Sequence, residues 1–349
     1  MKKSGFLFLS LFVLFFSACT TDVPNDPSAT ETSSDIVEDQ TFDKTININF
    51  SGNTATITPA KNGVSVTNNG AVVVVTSTVK GVEYILSGTT DNGSLKIYSD
   101  YKFKLTLNNV TLNSTDGPAI NIQSSKSAYI VLTDNTTNIV ADSNTYPTDT
   151  LEDRKGTIFS EGQLIFSGSG SLNITAKYKH AICSDDYIHI RSGNITISET
   201  VSDGLHSPDY ILIDGGNLSV TSSNDGIECT EGYIVINNGT INVNSVDKAI
   251  VASFDTTTVT ESVIDPYITI NGGTLTLATT GTKAHGISTE RNLTFNGGTT
   301  VIVATGNKSD GIHIDGTLTL SRGTVSIQAY DECAKYATII DSGNILTCL

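Results

Sequence analysis

Along most of the chain, isoleucine, leucine and valine recur at every second position, as in Ile188-His189-Ile190, Ile211-Leu212-Ile213 and Ile241-Asn242-Val243. A period of two belongs to strands, where successive side chains leave opposite faces. Gly, Asn and Asp break the runs and supply the left-handed backbone that tight turns need. The inward residue of a recurring D-G-(I/L) phrase falls at Ile158, Ile182, Leu205, Ile227, Ile250, Ile287 and Ile312, mostly 22 to 25 residues apart. A turn glycine keeps the same spacing at Gly170, Gly193, Gly216, Gly239, Gly273, Gly298 and Gly323, with the same interval stretched before Ile287 and Gly273. Two landmarks sharing one period mark a repeat array. Three short strands and three turns fill such a repeat, which predicts an all-β parallel β-helix whose coils lie about 4.8 Å apart. A leucine-rich repeat needs a phrase that is absent here, and a propeller blade needs about 40 residues.

The expected organisation follows. Residues 155–349 carry the regular coils, and 43–154, strand-rich without the phrase from Thr45 to Thr90, form an N-terminal cap and the first coils. Val140 to Lys155 reads as a charged loop with Pro147, and Val251 to Asp265 as an insertion into one turn. Lys2 and Lys3 precede an apolar run, Phe6 to Phe16, that ends in Ser17, Ala18 and Cys19. This is a secretory signal over 1–19, too short to span a bilayer as a helix. The stretch F-S-A-C resembles a bacterial lipobox and implies a lipidated Cys19; ordinary signal cleavage with unmodified Cys19 is the alternative. Residues 20–42, polar and acidic with two prolines at the start, are expected to be a flexible tether. Together these predict an exported lipoprotein at the bacterial cell surface, touching a membrane (the outer one in a Gram-negative cell) through its anchor alone.

Charge changes the picture next. A formal net charge of -16 and a pI near 4.5 disfavour nucleic acid and suit cations or neutral ligands. Cys333 and Cys348 flank the C-terminal segment and could close it, whereas Cys183 and Cys229 sit nearly two repeats apart, too far to bridge. The C-x-x-C and His-rich spacings of zinc sites are absent.

The phrases GVEYILSGTT, LTLNNVTLNSTDGPAINI, LTDNTTNIV, GTIFSEGQLIFSGSGSLNITAKYKHAI, DGLHSPDYILIDGG and DGIECTEGYIVINNGTINV follow in an order that resembles the bacterial carbohydrate-binding β-helix family of secreted and cell-surface proteins, over roughly Gly81 to Ser326. The resemblance implies a right-handed helix, similar in architecture to calcium-dependent pectate lyases, that binds plant cell-wall polysaccharide (pectin, polygalacturonate or cellulose) and calcium without established catalysis. His180-Ala181, Lys248-Ala249 and His285-Gly286 replace the family's D-G and put the number of metal sites in question.

In a β-helix, residues one repeat apart stack. Asp203, Asp225 and Asp247 are each 22 apart and should form a carboxylate column, with Glu228 beside it. Such a column either cages Ca²⁺, which takes several oxygen ligands, or caps backbone N–H groups as Asx turns do. His206 and His313 occupy equivalent places and suit calcium less. Asp310 belongs to a separate site, and Asp185, Asp186 and Asp209 are expected in solvent. Tyr187, Tyr210, Tyr233 and Tyr267 each precede an I-x-I strand and should point outward, either as a platform for sugar rings or stacked on one another. Lys248 is the one base placed for a lyase reaction, or else a partner for Asp225 or Asp247. No Ser/His/Asp set or phosphate-binding glycine loop appears. A monomeric binding module, a calcium-dependent lyase and a stalk or adhesin remain open.

Overall fold

A computed structural model describes residues 34–148, 151–254, 266–343 and 345–349. The signal, Cys19 and most of the expected insertion therefore lie outside the described residues. Glu31–Leu349 form one compact unit.

The unit is a parallel β-solenoid of about 11 turns of roughly 25 residues each. It begins irregularly, with antiparallel pairing of Lys44–Ser51 with Thr54–Thr58 and of Val64–Asn69 with Ala71–Ser77. From Ala71–Ser77 onward one sheet runs parallel through Gly93–Ser99, Gly156–Ser160, Leu205–Ser207 and Ile227–Cys229 to Ala334–Lys335. The remaining strands join a second, larger sheet that wraps the other sides.

Why this sequence stacks is visible in one row. Ile158, Ile182, Leu205, Ile227, Ile250, Ile287 and Ile312 are register partners in succession, and each is fully buried. Like shapes above like leave no gap, and truncating such a residue to Ala costs about 2–5 kcal/mol. The glycine of the D-G-I phrase is equally local in origin: a Cβ on Gly226 would lie 2.2 Å from Val243 Cγ1 and 2.6 Å from the Ala249 carbonyl. Outside the coils, Asn237, Asn271 and Asn296 form a ladder, each amide donating to the side-chain oxygen of the coil before at 2.6–2.8 Å, and the row begins on Asp214. The charged loop is pinned too: Glu152 holds Lys96 at 2.6 Å and Arg154 at 2.8 Å. Cys333 and Cys348 are disulfide-bonded, while Cys183 and Cys229 are buried thiols.

One boundary departs from expectation. The tether predicted over 20–42 does not extend through its last residues, because Ser34–Phe42 lie on the solenoid as a strap. Asp35 is 1% exposed, the Tyr129 hydroxyl donates to the Ser34 carbonyl, and Phe42 packs edge-on against Tyr129 at 5.7 Å. Composition marked this stretch as unable to make a core; it needs none, because it borrows the solenoid's.

Candidate functional site

The D-G-I turns place two ladders side by side along one edge of the smaller sheet. Two residues before the inward residues Ile182, Leu205, Ile227, Ile250, Ile287, Ile312 and Ala334 stand His180, Asp203, Asp225, Lys248, His285, Asp310 and Glu332. One residue after each stand Cys183, His206, Glu228, Val251, Ser288, His313 and Lys335. Asp247 is therefore not in the carboxylate column. Ile227 pairs with Ile250, 23 residues on, so the 22-residue step from Asp225 to Asp247 falls one short and Lys248 takes the place.

Each aspartate in the column first satisfies the next coil. Asp203 Oδ1 accepts from Asp225 N at 3.1 Å and from Asn224 Nδ2 at 2.7 Å; Asp225 Oδ1 accepts from Lys248 N at 2.7 Å, and Asp310 Oδ1 from Glu332 N at 3.0 Å. Backbone capping is thus present, and it leaves the second oxygen of Asp203 aimed elsewhere. Asp203 Oδ2 lies 2.8 Å from His180 Nδ1 and 3.2 Å from His206 Nδ1, and the latter is 2.8 Å from Glu228 Oε2. The two imidazoles stack with centroids 4.1 Å apart. His180 is 5% exposed, and its Nδ1, though close to Asp203, makes no aligned hydrogen bond.

Electrostatics follow from this crowding. Burial alone would raise the Asp203 carboxyl, but the imidazoles of His180 and His206 lying against it hold it well below the carboxylate range. Burial would lower His206; Asp203 and Glu228 outweigh it and lift the imidazole to about 9. Burial dominates for His180 and keeps it low. Desolvation pushes Asp225 up to about 7, opposed by Lys248 and helped by Glu228 and Asp247.

A second His-Asp-His set recurs four coils along. His313 Nδ1 is 2.6 Å from Asp310 Oδ2 and His285 Nδ1 is 3.5 Å from the same atom, with the rings 4.2 Å apart. Here His285 Nδ1 accepts the Asp310 N–H at 3.0 Å, and Lys335, not a carboxylate, follows His313 in the ladder. Sequence spacing contained the signal, His followed 23 or 25 residues later by D-G-x-H, but it became legible only with the coils in register.

The other expected residues fall as follows. Tyr187, Tyr210, Tyr233 and Tyr267 form a continuous stack, with centroids 4.3, 5.1 and 4.7 Å apart and planes within 14°. Their faces cover one another, and the Tyr187 hydroxyl donates to Asp35 Oδ1 at 2.6 Å. Lys248 Nζ bonds Asp247 and lies 3.9 Å from Asp225; burial would lower its pKa, but these acids raise it, so it stays a cation and not a base. Asp185 and Asp186 are not simply solvated. Asp185 holds Lys155 at 2.7 Å, and half-buried Asp186 accepts from Gln163.

A feature not anticipated lies where the strap meets the first coils, a cleft of about 950 Å³ lined by Lys44, Lys80, Lys102, Lys126, Phe42 and Tyr101, with Asp43 and Asp100 also on its walls. Lys80, Lys102 and Lys126 are exposed and stand one turn apart, and Lys80 lies over the Tyr101 ring, 5.2 Å from its centroid. Lys102 reaches Gln40 of the strap at 2.5 Å, and Asp43 holds Lys44 at 2.8 Å. The 22- and 24-residue spacings of these lysines match the repeat and could have revealed them.

Comparison with known proteins bears on this geometry. A family model described as carbohydrate-binding domain-containing protein matches residues 69–333. The chain belongs to this family. Its fold matches that of a polysaccharide lyase-like protein from C. thermocellum, solved as a gadolinium derivative, with a TM-score of 0.54 and 19% identity over 87% of this chain and 100% of that one. No curated protein matches. Membership makes a carbohydrate the partner, and the expected parallel β-helix is the fold observed. Among the described residues no helix is long and apolar enough to cross a membrane.

Proposed function

We propose that this carbohydrate-binding chain holds an acidic polysaccharide, of the polygalacturonate kind, without cleaving it, and that the lysine-lined cleft is where it does so. The observation that carries the reading is local charge. On a chain of net charge -16, three exposed lysines in successive coils beside an exposed tyrosine form a basic strip. Ammonium groups attract uronate carboxylates, and an aromatic ring can pack on sugar C–H faces. The stacked tyrosines lend less support to sugar binding, because their faces are already in contact. Absence of catalysis is supported by the one candidate base, Lys248, being paired and held protonated. Export and anchoring through Cys19 would present the cleft at the cell surface as a monomer, a reading supported by the sequence of the first nineteen residues.

Calcium, which the family resemblance implies, finds limited support in the donors. Asp203, Asp225 and Glu228 bring oxygens within reach of one ion. Yet one oxygen of each aspartate caps a backbone N–H, Lys248 stands next in the column and histidines stand on the other side. Calcium takes six to eight oxygens, and no step is routed through it.

The test is retention of a soluble chain beginning at Ser34 on polygalacturonate and on cellulose, with calcium and with chelator, while watching for unsaturated product. Expected are binding to polygalacturonate that survives chelation, weakens with salt and falls about tenfold or more in Lys80→Glu/Lys126→Glu. Equal binding to cellulose with no effect of the lysines would sink the reading, and product formation would favour a lyase.

A further inference from the structure

We infer that His180, Asp203, His206 and Glu228 form a binding site for a transition-metal dication of the zinc class, distinct in chemistry from the oxygen cage expected from the carboxylate column. Four of the five histidines of the chain lie on the two ladders, in two sets of the same pattern. Imidazole nitrogen is a ligand of zinc, copper and nickel, while calcium and magnesium take oxygen. In the first set, His180, Asp203 and His206 bring ligand atoms within 4.8 Å of one another, and Glu228 lies against His206 as the fourth donor. Asp203 Oδ2 is 2.8 and 3.2 Å from the two Nδ1 atoms, and Glu228 Oε2 is 2.8 Å from His206 Nδ1. Tetrahedral ligands bound at about 2.0–2.1 Å stand roughly 3.3 Å from one another. These three contacts need to open by about half an ångström or less to reach that spacing.

An independent observation points into the same gap. His180 is 95% buried, since 5% is exposed, and its Nδ1 makes no hydrogen bond although it faces Asp203 at 2.8 Å. A buried polar atom without a hydrogen bond is costly, and a dication would take up the Nδ1 lone pair that the contact with Asp203 leaves unsatisfied. The outer contacts are in place as well. Asn224 Nδ2 and the Asp225 N–H hold Asp203 Oδ1 and so aim Oδ2 at the histidines, as the surroundings of a metal-binding carboxylate do. Once the metal displaces the His206 proton, two carboxylates with two neutral imidazoles carry two negative charges, matching a dication.

The second set is an internal control. His285, Asp310 and His313 repeat the first three residues, but His285 Nδ1 already accepts a backbone N–H and Lys335 stands where Glu228 does. It has a lone pair fewer, an acid fewer and a cation more, so it should bind far more weakly. The site makes no use of the lysine cleft, and its failure would leave the polysaccharide reading untouched.

The test is titration of the chain from Ser34 with Co(II) and Zn(II), followed by calorimetry and by the visible absorption of four-coordinate Co(II), with Ca²⁺ in millimolar excess as competitor. Expected are one equivalent of tight binding, no displacement by Ca²⁺, and a loss of about 100-fold or more in His206→Ala and in His180→Gln, with circular dichroism melts checking that each variant folds. His313→Ala should leave the tight equivalent in place. Displacement of Co(II) by Ca²⁺, full-strength binding in folded His180→Gln and His206→Ala, or loss of the tight equivalent in folded His313→Ala would each overturn the assignment.

Discussion

Two imidazoles in this molecule are each held between two carboxylates, and they do opposite things. His189, fully buried under the strap, gives Nδ1 to Asp35 Oδ2 and Nε2 to Asp214 Oδ2, both at 2.8 Å. Both nitrogens are spent, and the bonds continue from Asp214 into the asparagine ladder. His206 spends one nitrogen, Nδ1, on both of its acids and stacks on a histidine whose own Nδ1 has no aligned hydrogen bond. The first arrangement is closed and acts as a latch for the strap; the second is open and offers donors. What separates the two is thus how many ligand atoms remain unsatisfied, since each is a histidine between two acids.

The largest test of this contrast is His189→Ala. It strands Asp35 and, with one member of a buried charged group gone, should cost up to about 3–5 kcal/mol. The strap is expected to detach before the coils unfold, so hydrogen exchange at residues 34–42 should lose protection. His206→Ala, at a partly exposed place, should cost about 1–3 kcal/mol in urea unfolding. Equal losses for the two variants would erase the distinction between a closed and an open cluster.

Acidity sharpens it further. Burial would lower His189, but Asp214 and Asp35 raise it; burial would raise both acids, but their bonds to His189 lower them. A raised histidine contributes stability that is complete below its ordinary value of 6.5 and is lost as pH climbs through the folded value. A lowered aspartate contributes above its ordinary 3.8 and loses that as pH falls through the folded value. Strap protection should therefore be greatest between pH 3.8 and 6.5 and decline outside that range. For His206 the loss extends up to about 9, which imidazole NMR titrations of the two residues would separate. The smallest effect expected is from Tyr187→Phe, which removes one hydrogen bond to Asp35 and should loosen the strap by about 1 kcal/mol without altering metal binding.

Much of the fold was legible because burial repeats. The isoleucine row and the tyrosine stack stand where the spacing put them, each a consequence of one residue per coil. Asp247 shows the limit: a 22-residue interval looked like register, and a single added residue before Ile250 moved Lys248 into the column. The strap was misjudged for another reason. Its polar composition describes a segment that cannot fold alone, and the partner that orders Asp35 lies 154 residues away. The lysine strip lies outside the D-G phrase, and the histidines, though periodic and in or beside that phrase, come together only once neighbouring coils are stacked.

What the amino-acid order determined unaided is the coil, because alternating apolar residues and turn-forming glycines act over a few positions and repeat. Which polar side chains of neighbouring coils share one gap was decided only in three dimensions. Stacking turns a shift of one residue into a different neighbour, and both the latch at His189 and the donor set at His206 depend on such neighbours.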